Sequence, residues 1–80
     1  MTLLSANTSR LGATIHNNSD QICYVKLGTT ASATDFTVVL DKQNANLVGG
    51  YYEVPAGYTG RIDAIWAANS TGAALVTELT

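Results

Sequence analysis

The feature that most constrains the fold of this chain is the regular spacing of turn-forming residues, which recur about every 8–12 residues. Between them lie short runs rich in valine, isoleucine, threonine and tyrosine, the residues that favour strands. Apolar and polar side chains alternate in several runs, whereas no stretch of ten residues follows the helical period. The pattern predicts an all-β fold, a small antiparallel β-sandwich or barrel of six to seven short strands.

The predicted strands are residues 2–5, 10–16, 22–27, 36–40, 51–54, 60–66 and 73–79. They form a single domain over residues 1–80, because eighty residues are too few for two cores. Residues 1–9 either contribute a strand or form an arm. Residues 41–48 are polar and irregular, and we expect them to form a protruding loop.

Two hairpins are expected from the turn chemistry. The first joins residues 10–16 to residues 22–27 across the sequence NNSD, whose asparagine and aspartate side chains favour turns. The second joins residues 51–54 to residues 60–66 through a type I turn, with Pro55 at its second position and a glycine at its fourth.

The core is predicted to form around Trp66, the largest apolar side chain in the sequence. Alternation places Ile62, Ala64 and Trp66 on one face of their strand. We expect Trp66 to be buried with a set of apolar residues from other strands: Leu11, Ile15, Phe36, Val38 and Ile62.

The composition indicates a protein that assembles with others. Charged residues make up 12% of the chain, against about 25% in an average soluble domain. One cysteine cannot form an internal disulfide, and the single histidine and cysteine cannot complete a structural zinc site. Packing against other copies would stabilise so small a domain. We therefore expect a homo-oligomer, with a trimer favoured.

The net charge of −2 argues against attraction to nucleic acid or to anionic membranes. The sequence contains no apolar run long enough for a transmembrane helix and begins with no recognisable targeting segment. We expect synthesis in the cytoplasm, and neither nucleic acid nor membrane as a partner.

Residues with catalytic chemistry are few and scattered. His16 lies on the outward side of its strand with no nucleophile assigned to it, and Cys23 shares a strand face with apolar residues. Glu53 and Asp63 fall on the two arms of the second hairpin, where pairing of Glu53 with Arg61 is the simpler expectation. The sequence predicts no catalytic residue, no cofactor and no metal site, and therefore no enzyme.

Two groups of residues are candidates for contact with a partner. Amide and charged side chains of the predicted loop can bond to a partner's backbone, and exposed tyrosines are enriched at interface centres. Neighbouring tyrosines on a strand point to opposite faces, so one of Tyr51 and Tyr52 should be exposed. The candidates are Asp41, Lys42, Gln43, Asn44, Asn46, Tyr51, Tyr52 and Tyr58.

Several sequence blocks resemble small β-structured virion proteins and modules of tailed bacteriophages, including those of cyanobacteria. The blocks are residues 10–20 (RLGATIHNNSD), 24–32 (YVKLGTTAS), 49–55 (GGYYEVP), 58–60 (YTG), 65–66 (IW) and 72–78 (GAALVTE). The resemblance runs over nearly the whole chain, and GGYYEVP followed by YTG is its most specific part. Residues 41–48 depart from it, because in the similar sequences the preceding strand runs almost directly into GGYY.

The resemblance implies a structural protein of the virion without catalytic residues. The expected function is that of a capsid decoration or cement protein, which binds the major capsid protein on the outside of the shell and stabilises it, often as a trimer. The alternative is a tail fibre or adhesion module that binds carbohydrate on the host surface through tyrosine and tryptophan side chains. On either hypothesis the protein is located in the virion, with the capsid surface expected first.

Overall fold

The computed structural model describes residues 1–43, 50–68 and 72–80. In these residues the chain forms seven strands: β1 (Thr2–Leu4), β2 (Gly12–Ser19), β3 (Cys23–Leu27), β4 (Val38–Leu40), β5 (Tyr51–Val54), β6 (Ile62–Trp66) and β7 (Gly72–Leu79). Each corresponds to a predicted strand, and the ends differ by at most three residues. The all-β prediction is confirmed.

The strands form two antiparallel sheets that enclose one apolar core. The four-stranded sheet has the order β1-β6-β3-β4, and the three-stranded sheet has the order β5-β2-β7. Strand β2 is the centre of the smaller sheet, since it pairs with β5 on one side and with β7 along its full length on the other. Both sheets contribute to the buried cluster between them, which makes the fold a sandwich.

Both predicted hairpins are wrong. Strand β2 lies in the three-stranded sheet and β3 in the four-stranded sheet, and β5 and β6 are separated in the same way. Except for the connection between β3 and β4, every connection carries the chain from one sheet to the other. The turns were located nearly correctly, but each turn joins strands that face each other across the core.

The turn predicted at the sequence NNSD is not at that position, because β2 continues as far as Ser19. The alternation of buried and half-exposed residues that begins in β2 runs on to Ser19, so that Asn17 and Ser19 point into the sandwich. A buried asparagine is tolerated here because its side-chain amide is hydrogen-bonded. The chain turns only after Ser19, at residues 20–22.

The turn after β5 lies one residue later than expected. The N–H of Tyr58 donates to the carbonyl oxygen of Pro55 at 3.2 Å, so Pro55 is the first residue of the turn. Gly57 is the third, with a φ of 90° that only glycine adopts readily. Since β5 and β6 lie in different sheets, the expected Glu53–Arg61 pair does not form, and Arg61 instead binds Asp63.

The centre of the core is formed by Ile15, Val25 and Ile62, which are completely buried. They pack with Ala13, Cys23, Leu40, Val54 and Ala64. The expected core around Trp66 is partly wrong: Trp66 and Val38 are half-buried against this cluster, while Leu11 and Phe36 are exposed. The indole N–H of Trp66, at the end of β6, needs a polar partner, and it donates to Ser19 Oγ at the end of β2.

The first residues of the chain are fixed to the body of the sandwich. Strand β1 pairs with β6, and Met1 exchanges backbone hydrogen bonds with Ala64. Farther on, the N–H of Asn7 donates to the carbonyl of Thr59 at 2.8 Å. Residues 1–9 therefore contribute a strand and a crossing segment, and they do not extend away as an arm.

Candidate interaction surface

The outward-facing side chains of the three-stranded sheet form the surface that we call the β2 outer face. Its residues are Gly12, Thr14, His16, Asn18, Tyr51, Glu53, Ala73, Leu75, Thr77 and Leu79. The pairing register places them in rows across the strands. In one row His16 lies between Tyr51 and Leu75, and in the next Thr14 lies between Glu53 and Thr77.

Large apolar side chains on this face are unusually exposed. Tyr51 is 58% exposed, Leu75 54% and Leu79 53%, and Leu11 beside the face is 69% exposed. Single exposed apolar residues are ordinary on protein surfaces, but several on one sheet face with a single carboxylate, that of Glu53, are characteristic of interaction sites. The composition fits the apolar, weakly charged centre of a protein interface.

A pocket of about 140 Å³ opens at one end of this face. Leu11, Ala56 and Leu79 contribute apolar walls, while Thr14 and Glu53 contribute a hydroxyl and a carboxylate. The volume is sufficient for one aliphatic or small aromatic side chain of a partner.

Behind the face, a buried arginine connects β7 to two other segments. The Arg10 side chain is fully buried, and its Nε donates to Glu78 Oε2 at 2.7 Å. Its Nη2 donates to the carbonyl of Ser5 at 2.6 Å and its Nη1 to the carbonyl of Gly60 at 2.8 Å. Hydrogen bonding from Arg10 lowers the pKa of Glu78 below its ordinary value. Arg10 thus fixes the end of β7 and gives the outer face a rigid base.

At the opposite end of β2, a buried polar cluster joins the two sheets. The Asn17 amide nitrogen donates to the carbonyls of Gln21 and Asp41 at 2.8 and 2.9 Å, and the Asn17 oxygen accepts from Ser19 Oγ at 2.6 Å. Trp66 Nε1 donates to Ser19 Oγ at 2.9 Å. Because the groups are buried and mutually bonded, this cluster fixes the spacing between the sheets.

Asp63 forms a second buried polar site, in the four-stranded sheet. Its carboxylate accepts hydrogen bonds from Arg61 Nε at 2.6 Å and from the backbone N–H of Thr30 at 2.7 Å. The bond to Arg61 is the main cause of a lowered Asp63 pKa. Thr30 has a left-handed φ of 62°, which is unusual for a β-branched residue. The bond to Asp63 helps to hold it there.

The outer face of the four-stranded sheet also has apolar side chains, but they are less exposed. Phe36, Val39 and Ile65 are 40–43% exposed, and the ring of Tyr24 packs against Phe36 with centroids 5.1 Å apart. The Lys26–Asp35 ion pair lies beside this group. Of the two faces, the β2 outer face therefore has the more accessible apolar side chains.

The structure separates the predicted contact residues into those that are available to a partner and those used inside the fold. Asp41 and Lys42 are exposed; Gln43 is half-buried, with its N–H bonded to the carbonyl of Ser19; and Asn44 and Asn46 lie outside the described residues. The prediction that one of two neighbouring tyrosines is exposed is confirmed: Tyr51 is exposed, and Tyr52 packs against the core.

Tyr58 is used internally as well. It packs against the core, and its hydroxyl donates to the carbonyl of Arg61 at 2.7 Å. Tyr51 lies on the same outer face as Leu75 and Leu79, two residues that were not among the expected contact residues. The signal was present in the alternation of the last strand, where Leu75, Thr77 and Leu79 share one face.

The remaining chemistry of the described residues is limited. Cys23 is buried, and burial raises the pKa of its thiol to about 11, so the reactive thiolate is scarce. Within residues 1–43, 50–68 and 72–80, no three acidic, histidine or cysteine side chains are grouped as metal ligands. This part of the chain also has no helix of sufficient length and hydrophobicity to cross a membrane.

Comparison of the chain with protein-family models, with curated proteins and with solved structures gave no match.

Proposed function

We propose that this protein is a structural component of a virus particle, which binds the outside of the capsid through the β2 outer face and stabilises the shell without catalysis. The observation that carries the proposal is the exposure of three large apolar side chains on that face, Tyr51, Leu75 and Leu79. The resemblance of several sequence blocks to small phage virion proteins supports the choice of a virion. The major capsid protein is the proposed partner.

The geometry of the face suits attachment to a large protein surface. The exposed apolar side chains on the two flanking strands supply affinity by burial, and a partner side chain can enter the pocket between Leu11 and Leu79. The face rests on the Arg10–Glu78 pair and on the fully paired β2 strand, so little conformational entropy is lost on binding. A clamp on a shell under internal pressure requires such a rigid base.

The location is tested by quantitative mass spectrometry of virus particles purified from the source culture. A shell protein should be present in hundreds of copies per particle, whereas a tail protein should be present in a few dozen or fewer. Electron microscopy of the same particles should place the domain on the outer capsid surface. Absence of the protein from purified particles would refute the virion proposal.

The surface is tested by a pair of matched lysine variants. Leu75→Lys places a charge on the β7 side of the β2 outer face, while Ile65→Lys places one on the outer face of the other sheet, at a residue of similar exposure. We expect Leu75→Lys to lower occupancy of particles about tenfold or more, since a charge must be desolvated there. Ile65→Lys should bind as the parent does. The reverse result would assign binding to the four-stranded sheet.

A second function is favoured by Tyr51 alone. Its exposed ring lies beside His16, in the row next to Glu53, and an aromatic ring with nearby polar groups can bind a sugar. A fibre or adhesion module would use this site for host carbohydrate. Tyr51→Ala should then abolish binding to a glycan array and leave shell occupancy unchanged, whereas the capsid proposal expects no glycan binding and reduced occupancy.

A further inference from the structure

Strand β7 is the long edge of the three-stranded sheet. Among the described residues it has a hydrogen-bonded neighbour on one side only, β2, with which it pairs in uninterrupted register over eight residues. In an antiparallel strand alternate residues direct their N–H and C=O groups to opposite sides. Half of the backbone groups of β7 therefore point toward the open edge.

This edge lacks the usual devices that prevent strand addition. Proteins protect edges with proline, lysine, bulges or short strands. The sequence of β7, GAALVTEL, has neither proline nor lysine, and its register with β2 shows no bulge. Its one charged side chain, Glu78, is bound by buried Arg10. The edge is therefore regular and uncharged along most of its length.

The length of β7 indicates what can cover it. The other edge of its sheet, β5, has four residues, and the edges of the second sheet, β1 and β4, have three each. Of these edges, β7 alone offers eight residues, so the partner that matches it in length is another β7.

We propose that two copies of this chain pair through β7, antiparallel and about a two-fold axis, into one continuous six-stranded sheet. Such a contact is self-complementary. With the axis at Leu75, Glu78 lies opposite Gly72 of the other copy, and with the axis at Val76 it lies opposite Ala74. In either register no like charges oppose each other. The contact yields a dimer and extends the β2 outer face across both copies. It does not depend on the proposed function, and a trimer would require a different contact.

Disulfide cross-linking tests the pairing and its register. In a two-fold antiparallel pair, opposed residues have numbers with a constant sum, and their Cα atoms are about 4.5–5.5 Å apart, within disulfide range. Single cysteines are introduced on the outward side of β7, as Ala73→Cys, Leu75→Cys, Thr77→Cys and Leu79→Cys, alone and in mixtures. The native Cys23 is buried with a pKa raised to about 11, so it adds little background.

After mild oxidation with copper phenanthroline, we expect cross-links only between positions that share one sum. An axis at Leu75 gives Leu75→Cys dimers and links between Ala73→Cys and Thr77→Cys. An axis at Val76 gives links between Leu75→Cys and Thr77→Cys and between Ala73→Cys and Leu79→Cys. Thr14→Cys, on the same face but on the central strand, should not link. Absence of links, links at every position alike, or equally efficient links at Thr14→Cys would each overturn the pairing.

Sedimentation equilibrium provides an independent measurement. The variant Leu75→Lys/Thr77→Lys opposes lysines in either register, so the dimer dissociation constant should rise about tenfold or more. Thr14→Lys, with a single charge on the same face, should leave it unchanged; an equal loss there would overturn the edge contact in favour of face-to-face packing. A parent protein that sediments as a monomer and still occupies particles would refute the dimer alone, and a parent dimer absent from particles would refute the proposed function alone.

Discussion

Removal of the Asn17 side chain should test whether the buried polar cluster holds the two sheets together. In Asn17→Ala, the carbonyls of Gln21 and Asp41 lose their donor, and Ser19 Oγ loses its acceptor. Each such bond contributes about 1 kcal/mol net. The expected loss is therefore about 3 kcal/mol, from a total of about 4–12 kcal/mol for a domain of this length.

The assay is urea and thermal unfolding followed by circular dichroism and by the fluorescence of Trp66. A loss of about 3 kcal/mol should lower Tm by about 12–24 °C. Asn18→Ala is the matched control, because the neighbouring side chain points to the outer face and its removal should change stability by at most about 0.5 kcal/mol. If Asn17→Ala unfolds within about 1 kcal/mol of the parent, the cluster does not stabilise the sandwich.

Three further predictions follow from other parts of the structure. Gly50→Ala should destabilise the protein measurably in urea unfolding, because a β-carbon at residue 50 would lie 2.5 Å from the backbone nitrogen of Asp41. The pKa of Asp63 is lowered mainly by its hydrogen bond from Arg61, so its contribution to stability is present above the ordinary pKa of 3.8 and is lost as the pH falls below that value. Arg61→Gln should reduce this loss, measured as the change in the urea unfolding midpoint between pH 7 and pH 3. Cys23 should react with a thiol reagent such as DTNB only after denaturation, and rapid reaction of the native protein would contradict its burial.

The positions of the strands could be predicted from the sequence, but their partners could not. Alternation reports which side of a strand faces the core, and for β3, β6 and β7 the predicted faces agree with the structure. A turn signal reports only that the chain bends. It does not state whether the next strand joins the same sheet or crosses to the other, because both arrangements bury the same alternating residues.

The polar interior explains the other errors. Asn17 and Ser19 have turn-forming side chains, so their sequence was interpreted as a turn, yet hydrogen bonds to Trp66 and to backbone carbonyls stabilise them inside the sandwich. Arg10 is buried for a similar reason, since its partners come from segments 5, 50 and 68 residues away in the chain. Such distant partners leave no local pattern in the sequence.

The candidate surface was predicted in part. Alternation predicts that Tyr51 and Tyr52 point to opposite faces and that Leu75 and Leu79 share one, and the structure shows Tyr51, Leu75 and Leu79 to be exposed. Their meeting on one surface depends on the order β5-β2-β7, which brings together strands separated by the whole of β6. The sequence therefore grouped these residues by strand face, but it did not identify which group is exposed or the surface that they form.

The repeated crossing of the chain between sheets has a consequence for how the protein acquires its structure. Apart from β3 and β4, no two consecutive described strands pair with each other, so they cannot form local hairpins early in folding. Strand β2 can pair with β7 only when the chain closes a loop of about fifty residues. Folding should therefore be slow for a chain of this size, with relaxation times of milliseconds to seconds. During synthesis on the ribosome, the central strand of the smaller sheet must wait for the last strand to emerge, so the nascent chain depends on its C-terminal residues to complete that sheet.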